Sequence, residues 1–231
     1  MYCAASTGSA FARGAAGQIE IQTDLPAVVR GIALVCHPHP LFGGTNTNKV
    51  ITTLARAFRE LGYAALRPNF RGVGKSEGAH DHGEGETEDM LAVLDWARAQ
   101  WGEGLPLVLG GFSFGAYVQT RLAARLTASG MLPPRHLVLV GMAAGMTEGV
   151  AGGSSRHYET PAVPGNIPTL VIHGEADDTV ALTNVLDWAR PQKLPVVVVP
   201  GADHFFHGKL GLLRDLVGRN VASAERQNAA K

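Results

Sequence analysis

The sequence predicts an α/β fold, a mostly parallel central sheet with helices on both faces. Three observations carry that prediction. Continuous apolar runs such as 31–36 and 105–110 read as strands buried on both sides. Segments with apolar residues at helical spacing separate those runs. The two types alternate along most of the 231 residues, the order that builds a parallel sheet through helical crossovers. A chain of this length is expected to form one domain over 1–231, with an N-terminal extension at 1–16 and a poorly ordered tail at 222–231.

In order, Gln18, Ile19, Glu20, Ile21 and Gln22 alternate polar and apolar, the pattern of a half-exposed edge strand. Residues 31–36 follow as a central strand. Residues 46–61 place Val50, Leu54, Phe58 and Leu61 on one helical face, with Thr45 or Asn46 as cap and Gly62 as stop. A strand at 63–67 ends at Pro68. Residues 86–101 read as a helix whose first turn carries Glu86, Glu88 and Asp89, suited to the positive end of the dipole. Its buried face is expected to hold Leu91, Leu94, Ala97 and Trp101. Next come a strand at 105–110, a helix at 116–126 and strands at 136–140 and 169–173. A helix at 182–189, a strand at 196–199 and a closing helix at 209–217, buried through Leu210, Leu213, Leu216 and Val217, complete the series. Residues 141–168, rich in Gly, Ser and Pro, predict a long loop over the active-site end of the sheet, with room for a short helix but too short for a large lid.

Charge excludes some functions. Lys plus Arg and Asp plus Glu both total 20, so the net charge is zero. No basic face points to nucleic acid, and no charge block points to an interaction tail. No apolar run reaches membrane-spanning length. The start, Met1 to Ser6, lacks a basic segment followed by an apolar core, so a cytoplasmic protein without signal peptide is expected. Cys3 and Cys36 do not make a disulfide framework, and Cys36 reads as a buried thiol.

The densest chemical signal is Gly111-Phe112-Ser113-Phe114-Gly115, between a strand and a helix. Such a turn lifts a serine clear of a sheet end with its Oγ exposed. A serine hydroxyl needs a base within hydrogen-bond reach, and the base needs an orienting carboxylate. Asp177 follows the strand at 169–173, with Asp178 and Glu175 as rivals that could instead cap the next helix. His204 follows the last strand, with His207 as rival. An oxyanion hole requires two backbone N–H groups. Phe114 supplies one. The other falls to His39 or Leu41, with His39 preferred, because Pro38 and Pro40 have no N–H. Gly43 and Gly44 let that loop fold close to the site.

At this point the chain resembles the α/β-hydrolase superfamily, and within it the small lidless bacterial serine hydrolases. The resemblance rests on His-Pro-His-Pro-Leu-Phe-Gly-Gly at 37–44, Asn-Phe-Arg-Gly-Val-Gly-Lys-Ser at 69–76 and Asp-His-Phe-Phe at 203–206, and spans about residues 17–217. It implies a triad of Ser113, Asp177 and His204 with esterase-like activity on small acyl substrates.

Other features have competing readings. Arg71 to Ser76 looks faintly like a phosphate loop but lacks its glycine spacing. It is expected to form one wall of the site. His80, Asp81, His82 and Glu84, with His37 and His39, offer zinc-type ligands at loop-like spacing. No metal or cofactor is expected, and His37 is expected to brace the oxyanion loop. Of the phenylalanines, Phe42 and Phe205 are substrate-pocket candidates. The expected function is hydrolysis of small carboxylic esters or thioesters through an acyl-enzyme, by a monomer or homodimer. The alternatives are an aminopeptidase or amidase on the same triad, or a non-catalytic binding protein of the same fold.

Overall fold

The structure, a computed structural model, describes residues 6–147, 156–165 and 167–229. In chain order the elements are β1 (Ser6–Gly14), β2 (Gly17–Leu25), β3 (Gly31–Cys36), α1 (Lys49–Glu60), β4 (Tyr63–Pro68), α2 (Glu84–Trp101), β5 (Leu107–Phe112) and α3 (Phe114–Ala128). They continue as β6 (His136–Val140), β7 (Gly145–Thr147), β8 (Arg156–Tyr158), β9 (Thr169–Gly174), α4 (Leu182–Ala189), β10 (Val196–Val199) and α5 (Leu210–Ala229). One sheet runs β1-β2-β4-β3-β5-β6-β9-β10. From β4 to β10 all pairings are parallel, while β2 joins β4 antiparallel and β1 pairs antiparallel with β2. No described helix is long and apolar enough to cross a membrane.

The unbroken apolar strands follow from the layers. Along β3, Ala33 and Val35 pack into one core with Leu54 and Phe58 of α1 and Leu213 and Val217 of α5. Ile32, Leu34 and Cys36 point the other way, into a core with Met90 of α2, Leu122 of α3 and Val185 of α4. Strand side chains alternate between faces, so a strand covered on both faces has no polar position to offer.

Several elements differ from the sequence reading. Within the expected extension at 1–16, Ser6–Gly14 form the edge strand, so β2 lies inside the sheet, and residues 1–5 lie outside the described residues. Helix α1 begins at Lys49, capped by Asn48, whose side chain accepts the Val50 N–H at 2.9 Å. Thr45 and Asn46 do not cap it, because Asn46 is held in the preceding loop: its N–H donates to Asn69 Oδ1 at 2.9 Å and its carbonyl accepts from Arg67 at 2.6 Å. Helix α2 begins at Glu84, and its inner stripe is Glu86, Met90, Val93 and Ala97, with Leu94 beside it; Leu91 and Trp101 are only half-buried. Helix α5 runs on to Ala229, with Val221 buried, so residues 222–229 are helical rather than a loose tail. Within 141–168, β7 and β8 pair as an antiparallel ribbon, Gly145 opposite Tyr158 and Thr147 opposite Arg156. Residues 148–155 and 166 of that expected loop lie outside the described residues.

Candidate active site

The parallel strands end together, and the loops leaving their C-terminal ends carry the candidate residues, the usual place for a site in an open α/β sheet. Ser113 stands between β5 and α3 with φ 55° and ψ −120°. A positive φ at a non-glycine costs on the order of 1–3 kcal/mol and persists only where surroundings over-determine it. Here Ser113 N–H donates to Val140 O at 2.9 Å, and its carbonyl accepts from Ala116 at 3.0 Å and Ala143 at 3.3 Å. The flanking glycines allow the close approach: a Cβ on Gly115 would sit 2.1 Å from Cys36 O, and one on Gly111 2.4 Å from Gly115 O.

His204 Nδ1–H donates to Asp177 Oδ2 at 2.7 Å. The other oxygen, Oδ1, accepts the N–H groups of Thr179 at 3.0 Å and Val180 at 2.8 Å. The carboxylate is fully buried. With Nδ1 carrying the proton, Nε2 of His204 has the free lone pair. The imidazole stacks on Phe112, with centroids 4.8 Å apart, and a Cβ on Gly141 would lie 3.4 Å from it. Among the described residues Ser113 Oγ makes no hydrogen bond to His204. Such bonds are often long until substrate is bound.

The rivals lie elsewhere. His207 is 73% exposed and pairs with Asp203 at 2.6 Å. Glu175 accepts the Gly201 N–H at 2.8 Å, and Asp178 is exposed beside Thr179. In the loop after β3, the Leu41 N–H donates to His39 Nδ1 at 3.2 Å. The N–H groups of His39 and Phe114 have no protein acceptor among the described residues. Burial, then neighbouring His80 and Arg156, push the His39 imidazole down to about 4.

His37 braces that loop. Its Nδ1–H donates to Pro38 O at 2.7 Å, and its Nε2 accepts the Phe70 N–H at 3.0 Å. The 69–76 segment is a knot of polar contacts and not a phosphate cradle. Asn69 bonds Asn46 and Glu20, Ser76 bonds Asn69 O and the Glu20 N–H, and Arg71 makes a two-pronged bond to Asp89 at 2.8 Å on each arm. Glu86 accepts from His80 at 2.8 Å and from the N–H groups of Asp81 and Gly83 at 2.9 and 2.7 Å. His80 then stacks between His39, 4.6 Å away, and His82, 4.8 Å away. Sequence reasoning did not identify three contributors near the site: His173 behind Asp177, Tyr158 on the ribbon and the buried Glu86.

A cavity of about 30 Å³ adjoins Ser113, walled by His39, Phe42, Phe114, Ala143, Tyr158 and Val180 among others. Phe205 is 43% exposed and does not line it, but flanks His204 at 5.2 Å. A larger cleft of about 610 Å³, bordered by Leu105, Pro106, Arg135 and Pro168, lies at the opposite end of the strands and holds none of the candidate groups. The small cavity is the candidate substrate site, since a reacting carbonyl must lie within bonding reach of a nucleophile.

Comparison with known proteins bears on the family and the fold. The sequence model of the X-Pro dipeptidyl-peptidase (S15 family) matches residues 25–182. A protein of Rickettsia prowazekii described as uncharacterized is 32% identical over 189 residues, 77% of this chain and 73% of that one. The crystal structure of an α/β serine hydrolase without lid from Xanthomonas campestris is 38% identical, covers 94% of both chains and superposes with a TM-score of 0.78. An α/β serine hydrolase homologue from Coxiella burnetii is 37% identical, covers 92% of this chain and 96% of its own, and also gives 0.78.

Proposed function

The chain belongs to the X-Pro dipeptidyl-peptidase (S15) family of the α/β-hydrolase superfamily and is an esterase-like serine hydrolase; from that premise we propose that it cleaves small carboxylic esters or thioesters through an acyl-enzyme on Ser113. The observation that carries the proposal is the Asp177–His204 bond of 2.7 Å at the same sheet end as the strained Ser113. In this reading His204 Nε2 takes the Ser113 proton as Oγ attacks the carbonyl carbon. Asp177 holds the ring in the Nδ1–H tautomer and stabilises the imidazolium that forms. The developing oxyanion is met by the N–H groups of Phe114 and His39. Leu41 is the poorer second donor, because its N–H is already engaged by the His39 ring. His204 then returns the proton to the departing alcohol or thiol, and water repeats the sequence on the acyl-enzyme.

The family name favours a second reading, a peptidase acting from a chain's amino terminus. Such an enzyme must hold a free ammonium group, which calls for a carboxylate near the nucleophile. The cavity wall at Ser113 contains none. Of the buried acids nearby, Asp177 is bonded to His204 and Glu86 is committed to three hydrogen bonds.

The test is fluorophosphonate labelling with hydrolysis of p-nitrophenyl esters and of an X-Pro p-nitroanilide. Wild type should be labelled and should turn over the esters faster than the anilide. Ser113→Ala should lose labelling and about 10³-fold or more in kcat. Full activity in Ser113→Ala would remove the acyl-enzyme reading, and no labelling of folded wild type would favour a binding protein.

A further inference from the structure

We propose that the cavity against Ser113 is the acyl subsite, that it admits acyl groups of about two or three carbons, and that Tyr158 sets the limit. The inference rests on the acyl-enzyme reading above and goes further, to which side of the substrate is selected and by what.

The side follows from proton transfer. The leaving group must face the general acid, His204, which returns the proton. Neither His204 nor Phe205 lines the cavity; Ser113, Phe114 and His39 do. The carbonyl substituent that points away from His204, the acyl chain, is therefore the one directed into it. The leaving group is left on the open side, against the exposed ring of Phe205.

Size follows from volume. One water-sized group needs roughly 10–15 Å³ of such space, so about 30 Å³ holds about two. An acetyl or propionyl group fits, and a hexanoyl chain does not without moving a wall.

Tyr158 is the wall that can change. It is 7% exposed, its ring lies 6.2 Å edge-on from Phe114 and 5.2 Å from Tyr117, and Phe114 is itself 5.8 Å from Tyr117. Phe114 and Tyr158 line the cavity, and the Tyr117 ring packs against both. Burial pushes the Tyr158 phenol up to about 12, so the wall is uncharged at neutral pH. Phe114 gives a backbone donor and Ala143 binds the Ser113 carbonyl, so both are tied to the elbow. Tyr158 instead projects from β8 of the accessory ribbon, outside the main sheet. Its side chain can be cut back with the elbow and the Asp177–His204 pair left in place.

The experiment measures kcat/KM for p-nitrophenyl acetate, butyrate, hexanoate and octanoate, so that only the acyl group varies, on wild type, Tyr158→Ala, the milder Tyr158→Leu and Ser113→Ala. Wild type should lose about tenfold or more between acetate and hexanoate, in line with the 10- to 200-fold that a pocket exacts per misfit methylene. Tyr158→Ala should raise hexanoate relative to acetate about tenfold, and Tyr158→Leu should move the profile the same way by less. The inference is overturned if wild type hydrolyses octanoate as well as acetate, or if a folded Tyr158 variant keeps the wild-type profile. Retention of ester hydrolysis by Ser113→Ala would instead sink the acyl-enzyme reading itself.

Discussion

Behind Asp177 stands a second imidazole. His173 is fully buried at the end of β9, its Nε2–H donates to Val180 O at 2.9 Å, and that nitrogen is 3.5 Å from Asp177 Oδ2. Val180 N–H in turn donates to Asp177 Oδ1. His173 thus pins the peptide that pins the carboxylate. Burial lowers its pKa and its Nδ1 has no partner among the described residues, so it works as a neutral donor. His173→Leu is expected to reduce kcat about tenfold with little change in KM, because the acid and not the substrate is misplaced. His173→Gln, which retains a donor at the same reach, should recover most of the loss. Equal kcat in wild type and a folded His173→Leu would contradict this role. At this scale the sequence exposed the groups proposed to react but not their supports. Ser113, Asp177 and His204 each follow a strand and are set off by glycines, which is a local signal. His173 lies inside an apolar run, and nothing in that run distinguishes a hydrogen-bonding imidazole from a packing residue.

At the scale of elements, the loop after β4 and the helix after it are joined by charge. Arg71 is 11% exposed, Asp89 is 2% exposed, and the guanidinium also donates to Gly85 O at 2.7 Å. Breaking such a pair from one side leaves a buried charge and costs about 3–5 kcal/mol. Arg71→Ala should therefore lower the urea midpoint sharply, while a double Arg71→Met, Asp89→Leu variant should recover most of it. If the single variant unfolds at the wild-type midpoint, the pair is not structural. The sequence reading assigned Glu86 and Asp89 to the helix dipole, the ordinary use of acids in a first turn. Their partners, Arg71 and His80, sit on the preceding loop, and no helical period reports such a contact. The same reasoning explains β1. Ser6–Gly14 are mainly small residues with only Ala12 buried. The strand exists because β2 offers it a complete hairpin partner, from Ser6 opposite Leu25 to Gly14 opposite Gly17. Apolar strands and amphipathic helices were legible because burial wrote them, and polar cross-links were not.

For the whole molecule, histidines buried in neutral form couple stability to pH. Burial pushes His37 down from 6.5 to about 4; His39, His80 and His173 are lowered as well, with burial the first cause in each. In the unfolded chain these rings take up protons near 6.5, whereas in the folded protein His37 resists until about 4. The unfolded state thus binds more protons in that interval, and stability falls as the pH drops through it. Above 6.5 the contribution is complete. For fully buried His37 alone the shift corresponds to a loss on the order of 3 kcal/mol. Asp89 acts in the opposite direction, since burial raises its carboxyl pKa and acid gives that cost back. The histidines outnumber it, so the net slope follows them. Urea midpoints are expected to hold steady from pH 8 to 7 and to decline between about 6.5 and 4. His37→Gln, which cannot titrate there, should be less stable at pH 7.5, because the bridge from Pro38 to Phe70 is altered, yet should lose less on acidification. A wild-type midpoint that stays flat across the interval, or a His37→Gln slope as steep as the wild type's, would show that the buried imidazoles do not control the acid limit of this fold.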